Sequence, residues 1–271
     1  MDTRAIGVFD SGAGGLTAVR QLRALLPGEK IVYFGDTGRV PYGTRSDQMI
    51  FRYAQQDLAF LLSKNVKFLL AACGTVSSVL PAEYTAGLPA PYVGVVAAAS
   101  EAAAAASKTG RIGVIGTSAT IRSGSYERQL HRLLPGAQVF AKACPMFVPL
   151  VENGYVQPED PITAAVARQY LEPLREMGVD TLILGCTHYP LIAPAIARAM
   201  GPGVSLIDSG RAGALAAKAR LAQLGLLAPP GSQGGAEYYV SDEPAGLAPF
   251  IRQFVGEGEK GPVRRVDIEN F

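Results

Sequence analysis

Along the chain, short apolar runs alternate with longer amphipathic stretches. The runs Ala5–Phe9, Ile31–Phe34, Lys67–Ala72, Tyr92–Val95, Arg111–Ile115, Gln138–Ala141, Thr181–Leu184 and Val204–Ile207 are apolar on both faces and end at Gly, Pro or a polar turn. That is the pattern of strands buried on two sides. Between most of them apolar residues recur at helical spacing, as in Leu16–Leu26, Asp47–Ser63, Ile121–Leu134 and Pro161–Met177. The Ala-rich stretch Ala97–Ala106 also reads as a helix. Strand and helix in alternation predict parallel sheets covered by helices, because a parallel pair needs a long crossover. Near the end, Glu237–Ser241 is strand-like, Ala245–Val255 helix-like and Val263–Ile268 extended.

The pattern repeats. Ile6-Gly7-Val8-Phe9-Asp10-Ser11 resembles Ile112-Gly113-Val114-Ile115-Gly116-Thr117, and Leu69-Leu70-Ala71-Ala72-Cys73 resembles Leu182-Ile183-Leu184-Gly185-Cys186. A doubled unit accounts for both pairs. The fold expected is α/β: two similar doubly wound parallel-sheet domains with the active site in the cleft between them. Residues 1–96 with 208–271 would form a discontinuous first domain, and 97–207 the second. Ligands of open parallel sheets sit beyond the carboxyl ends of the strands. Two such sheets facing each other would put Cys73 and Cys186 on opposite walls of one cleft.

Composition narrows the function classes. Hydrophobic residues make up 48% of the 271 residues and charged ones 18%, enough for a buried core and unlike a disordered chain. A net charge of +2 gives no electrostatic case for nucleic acid or a membrane surface. The start carries no basic head with an apolar region behind it, and no run is long enough to span a bilayer. Three cysteines, an odd number, do not make a disulfide framework. The expectation is a soluble cytoplasmic protein with reduced thiols.

Cys73 and Cys186 each follow an apolar strand and precede small or hydroxylic residues, Gly74-Thr75 and Thr187-His188. A strand end opening into a helix exposes N–H groups and a favourable dipole, which stabilise a thiolate or a bound carboxylate. A lone free cysteine more often simply packs in a core; two at equivalent repeat positions point to chemistry. Cys144, in Ala143-Cys144-Pro145, reads as structural. No metal site is expected, because the cysteines lack paired spacing and His131 lies within an amphipathic helix. His188 would tune Cys186 or contact substrate; the alternative is a helix-start residue that hydrogen-bonds backbone. Asp10, where the first strand meets a Gly-rich loop, would face the cleft; the alternative is a turn or N-cap aspartate. Glu152 follows the apolar run Phe147–Val151 and would need a partner there, His188 being a candidate; the alternative is a solvated helix end. The loop Gly12-Ala13-Gly14-Gly15 is not a dinucleotide fingerprint, and no P-loop occurs. Its glycines would let backbone amides approach a small carboxylate.

Several of these motifs together resemble the bacterial glutamate racemases: Gly7-Val8-Phe9-Asp10-Ser11-Gly12 through Gly14-Gly15-Leu16-Thr17, Tyr33-Phe34-Gly35-Asp36-Thr37, Pro41-Tyr42-Gly43, Leu184-Gly185-Cys186-Thr187-His188-Tyr189-Pro190-Leu191 and Asp208-Ser209-Gly210. The resemblance runs over essentially the whole chain. It implies Cys73 and Cys186 as the catalytic pair, with Asp10, Glu152 and His188 assisting proton transfer. It also implies glutamate contacts at Asp10, Ser11, Tyr42, Gly43, Gly74, Thr75, Thr187 and His188. No metal or pyridoxal phosphate is implied, the family is commonly dimeric, and its D-glutamate goes to peptidoglycan. One position departs: after the first cysteine the family usually has Asn-Thr, and this chain has Gly74-Thr75. The missing amide would remove a substrate hydrogen bond worth about 0.5–1.5 kcal/mol.

Inverting an α-carbon requires a base on one face and an acid on the other, which two cysteines supply. The expectation is therefore a two-thiol glutamate racemase, and the resemblance implies that Cys73 acts on D-glutamate and Cys186 on L-glutamate. The rivals are an aspartate racemase or an arylmalonate-type decarboxylase of the same superfamily, and a cleft protein that binds glutamate without catalysis.

Overall fold

The computed structural model describes residues 1–271. Ten strands form two sheets: β1 (Ile6–Asp10), β2 (Lys30–Gly35), β3 (Phe68–Ala71), β4 (Tyr92–Gly94), β5 (Arg111–Gly116), β6 (Gln138–Ala143), β7 (Thr181–Leu184), β8 (Ser205–Asp208), β9 (Gly235–Val240) and β10 (Val263–Arg265). One sheet has the order β10-β9-β2-β1-β3-β4 and the other β6-β5-β7-β8. Every pairing is parallel.

The sheets are two copies of one plan. The order β2-β1-β3-β4 in the first matches β6-β5-β7-β8 in the second. The register repeats as well: Gly7 lies opposite Leu69, and Gly113 opposite Leu182. Those four residues are related by the same offsets as the sequence repeats, so both copies pair in identical register. Strands β9 and β10 have no counterpart and extend the first sheet past β2.

The strands read from the apolar pattern are present within one or two residues at each end, the usual uncertainty of element boundaries. Two expectations are corrected. Tyr92–Val95, Gln138–Ala141 and Val204–Ile207 were expected to be buried on both faces, but β4 is an edge of the six-stranded sheet, β6 and β8 are the edges of the four-stranded one, and all three are only partly covered. The helix expected over 121–134 is two helices, Ser118–Ser123 and Ser125–Leu133. Gly124 between them is left-handed at φ 63°, a conformation that costs glycine little and breaks the helical path. Elsewhere helices start where side chains cap them: Ser46 accepts the Met49 N–H, Thr117 that of Thr120, Asp160 that of Thr163 and Asp208 that of Arg211. Each such cap contributes roughly 1 kcal/mol.

Two crossings join the sheets. Helix Val95–Ala106 leaves β4 for the second sheet, and helix Ser209–Gln223 leaves β8 to return to the first. The two helices pack on each other. The largest core cluster draws residues from both halves, among them Leu16, Ile115, Phe147, Leu184 and Tyr238. No helix is long and apolar enough to cross a membrane.

Candidate active site

The carboxyl ends of the central strands of both sheets open into one cavity of about 390 Å³. Ser11 and Gly12 follow β1, Cys73 to Thr75 follow β3, Thr117 follows β5, and Gly185 to His188 follow β7; all line it. Each wall therefore brings one thiol from the corresponding strand of its sheet.

Cys73 caps helix Gly74–Val79 with extended backbone and is 4% exposed. Its Sγ lies 3.5 Å from Ser11 Oγ. Burial and the nearby Asp10 carboxylate push its thiol up to about 12, so it holds its proton at neutral pH. Asp10 does not face the cleft as expected. It lies behind the cavity wall, fully buried, with Oδ2 accepting the Gly12 N–H at 3.0 Å and Oδ1 without a partner. Burial raises its pKa, opposed by the His188 charge and the N–H groups of Gly15 and Gly12. The strand end curls back on itself here, turning the carboxylate under its own loop.

Cys186 sits differently. No helix follows it directly; a turn leads into the 3-10 segment Tyr189–Ile192 and then helix Ala193–Met200. What stands beside its sulfur is a ring: His188 Nδ1 is 3.8 Å from Cys186 Sγ. On the other side His188 Nε2 is 2.9 Å from Glu152 Oε1. Burial alone would lower the pKa of His188, but the hydrogen bonds and charges of Cys186 and Glu152 outweigh it and raise the ring to about 10. A cationic ring therefore stands beside the Cys186 sulfur. Glu152 ends helix Phe147–Glu152 and is 44% exposed, so it is both the histidine's partner and a solvated helix end.

No lysine or arginine lines the cavity. An anionic ligand there would be held by backbone N–H groups, by hydroxyls and by His188. Gly43, Thr75 and Thr187 line it. So does Tyr42, but its hydroxyl points away, donating to the buried Asp36 carboxylate. Thr117 was not singled out from the sequence. Its Oγ1 is 2.9 Å from Thr75 Oγ1, joining the two walls. The signal was in the repeat, where Thr117 stands in the place of Ser11.

Gly74 has a structural reason. A Cβ there would collide with the carbonyl oxygen of Gly185 in the opposite wall, so the two cysteine loops meet through bare backbone. Cys144 is buried outside the cavity, its N–H donating to Gly116 at 2.9 Å, and burial pushes its thiol up to about 12. No group of three or more His, Cys, Asp or Glu side chains is gathered so as to hold a metal ion.

Paired parallel sheets with a thiol on each wall of the cleft find their class in the comparisons with known proteins. The model of the Asp/Glu/hydantoin racemase family matches residues 17–217, and the chain belongs to that family, among its glutamate racemases. It is 44% identical to a glutamate racemase of Geobacter metallireducens, over 99% of this chain and 98% of that one. The crystal structure of glutamate racemase from Francisella tularensis in complex with D-glutamate superposes with a TM-score of 0.91, at 34% identity and full coverage of both chains. That of Thermus thermophilus in complex with beta-chloro-D-alanine gives 0.88, at 42% identity and full coverage of both. The chain is accordingly an isomerase, an amino-acid racemase.

Proposed function

We propose that this enzyme interconverts L- and D-glutamate by a two-base mechanism in which Cys73 and Cys186 address opposite faces of the α-carbon. The observation that carries this reading is that cysteines from corresponding strands of the two sheets line one cavity. An amino-acid α-proton is weakly acidic, so its removal needs a placed base and stabilisation of the charge that develops on the carboxylate. Cys186, with the His188 imidazolium beside it, takes the α-proton of L-glutamate. Cys73, still a thiol, gives its proton to the other face and leaves D-glutamate with a Cys73 thiolate and a Cys186 thiol. D-glutamate entering that form runs the sequence backwards. The resting protonation state, Cys73 protonated and Cys186 beside a cation, is the one ready for L-glutamate.

Charge on the substrate is met by N–H groups of the Ser11, Thr75 and Thr187 loops, by their hydroxyls and by His188. Tyr42, Gly43 and Gly74 contribute wall. Asp10 acts through Cys73, opposing its ionisation until the substrate is bound. The chemistry calls for no metal and no pyridoxal phosphate.

The reading extends to the cell. The resemblance to glutamate racemases over essentially the whole chain supports a cytoplasmic homodimer supplying D-glutamate for peptidoglycan. A division into 1–96 with 208–271 against 97–207 puts each thiol on its own body, so that opening of the cleft separates them. The test is incubation of the reduced protein with L-glutamate in D2O without cofactor, following the α-proton by NMR and the enantiomers by chiral chromatography. Deuterium incorporation with D-glutamate appearing is expected. Glutamate bound with no exchange overturns the reading.

A further inference from the structure

Gly14, in the glycine-rich loop after β1, has no part in the proton transfers above, yet it packs directly against His188 from the first wall. A Cβ on Gly14 would lie 2.6 Å from both Cε1 and Nδ1 of the His188 ring and would overlap Thr187 Oγ1. Nδ1 is the atom that faces Cys186. The neighbouring Thr17, at the start of helix Leu16–Leu25, donates from Oγ1 to Gly14 O at 2.9 Å and also lies 3.1 Å from the carbonyl oxygen of Thr187. So the loop of the first sheet is keyed to the Thr187-His188 segment of the second by a contact only glycine permits and by a buried hydroxyl.

We propose that Gly14 and Thr17 are positioning residues for His188: the first wall presses the imidazole into its seat between Cys186 and Glu152, and the ring is correctly placed only when the two walls are packed. The inference rests on the two-thiol reading for its consequence in catalysis, though not for its geometry. It gives the glycine-rich loop a role distinct from anion binding.

Three constraints define the seat. Cys186 and Glu152 hold the two nitrogens from the second wall. Phe254, at the end of helix Pro244–Phe254, stands edge-on to the ring with centroids 6.1 Å apart. Gly14 closes the remaining side. The titratable groups that face the ring are Cys186 on its own loop, Glu152 from helix Phe147–Glu152 and Asp10 from β1; Phe254 brings no charge. Moving the ring by the width of a methyl group takes Nδ1 off the sulfur and weakens both bonds that keep it protonated.

The chain contains two histidines, so ¹⁵N-histidine labelling reports the ring directly. His131, on the exposed side of helix Ser125–Leu133, is the internal control. At about pH 8 the wild-type His188 nitrogens are expected to show imidazolium shifts. In Gly14→Ala the ring is expected to be at least half neutral, with kcat/KM lowered about tenfold or more and His131 unchanged. Thr17→Val, which keeps the shape of the side chain, is expected to move His188 the same way by less, and it decides the matter if Gly14→Ala does not fold. His188 signals unchanged from wild type in the folded variants overturn the proposal, as does a neutral His188 in the wild type. Racemisation by Cys73→Ala would instead bring down the two-thiol reading, and the comparison of His188 signals would stand apart from it.

Discussion

His188 Nε2 and Glu152 Oε1 are 2.9 Å apart, the histidine buried and the glutamate half in solvent. The pair joins the site to water, because Glu152 reaches solvent while its partner ring is buried. Its consequence is a pH dependence with a definite sign. The His188 pKa is raised to about 10, so its charge is fully present below that and lost as pH rises through it. Replacing Glu152 by Gln removes one of the causes. The alkaline limb of the kcat/KM profile is then expected to move to lower pH, with activity at neutral pH reduced by about tenfold. An alkaline limb left in place would mean that Glu152 does not act through His188.

Single-cysteine variants should split the reaction in two. Cys73→Ala and Cys186→Ala are each expected to lower racemisation by roughly three orders of magnitude or more, because an essential acid or base is lost. Cys73→Ala should still wash the α-proton out of L-glutamate, through Cys186, while leaving D-glutamate untouched; Cys186→Ala should do the reverse. Chiral chromatography combined with proton NMR in D2O separates inversion from exchange.

Thiol reactivity should follow the electrostatics. Alkylation proceeds through the thiolate. Cys73 and Cys144 are both pushed up to about 12, whereas Cys186 lines the cavity next to a cationic ring. Iodoacetamide at neutral pH is expected to modify Cys186 first, and mass spectrometry of a time course gives the order. Glutamate should slow that modification.

Gly74→Asn is expected not to improve the enzyme. The sequence comparison suggests a missing amide, but the collision of a Cβ with the Gly185 carbonyl means that the cysteine loops must part to admit it. A lower kcat is the expected result, measured beside KM in steady-state assays.

Stability away from the site rests in part on Lys67. Its Nζ is 2.6 Å from Glu29 Oε2 and 2.7 Å from the Asp2 carbonyl, with both charged side chains buried. Lys67→Met leaves the Glu29 carboxylate uncompensated and is expected to cost about 3–5 kcal/mol. Urea unfolding should show the loss, with KM for glutamate unchanged in the folded fraction.

Much of this was legible without coordinates, and the reasons are local. Strands such as Phe68–Ala71 and Thr181–Leu184 are buried at every position and almost wholly apolar because both faces are covered, which a short window of sequence records directly. The doubled plan was legible because equivalent positions do equivalent work; Gly7 and Gly113 both stand opposite a leucine of the neighbouring strand. Cys73 and Cys186 stood out for the same reason. The break at Gly124 was missed because a single glycine inside an amphipathic run is compatible with either a continuous helix or a left-handed turn.

What the sequence by itself determined, then, is the alternation of elements, the repeat and the two thiols at matching strand ends, since each is written in residues close along the chain. Tertiary structure alone decided what surrounds each thiol. Asp10 was expected in the cleft but is buried behind the cavity wall, His188 bridges Cys186 and Glu152, and Gly14 meets His188 from the other wall. These relations join residues far apart in the chain, and their energies depend on distance and burial, neither of which exists until the two sheets have packed.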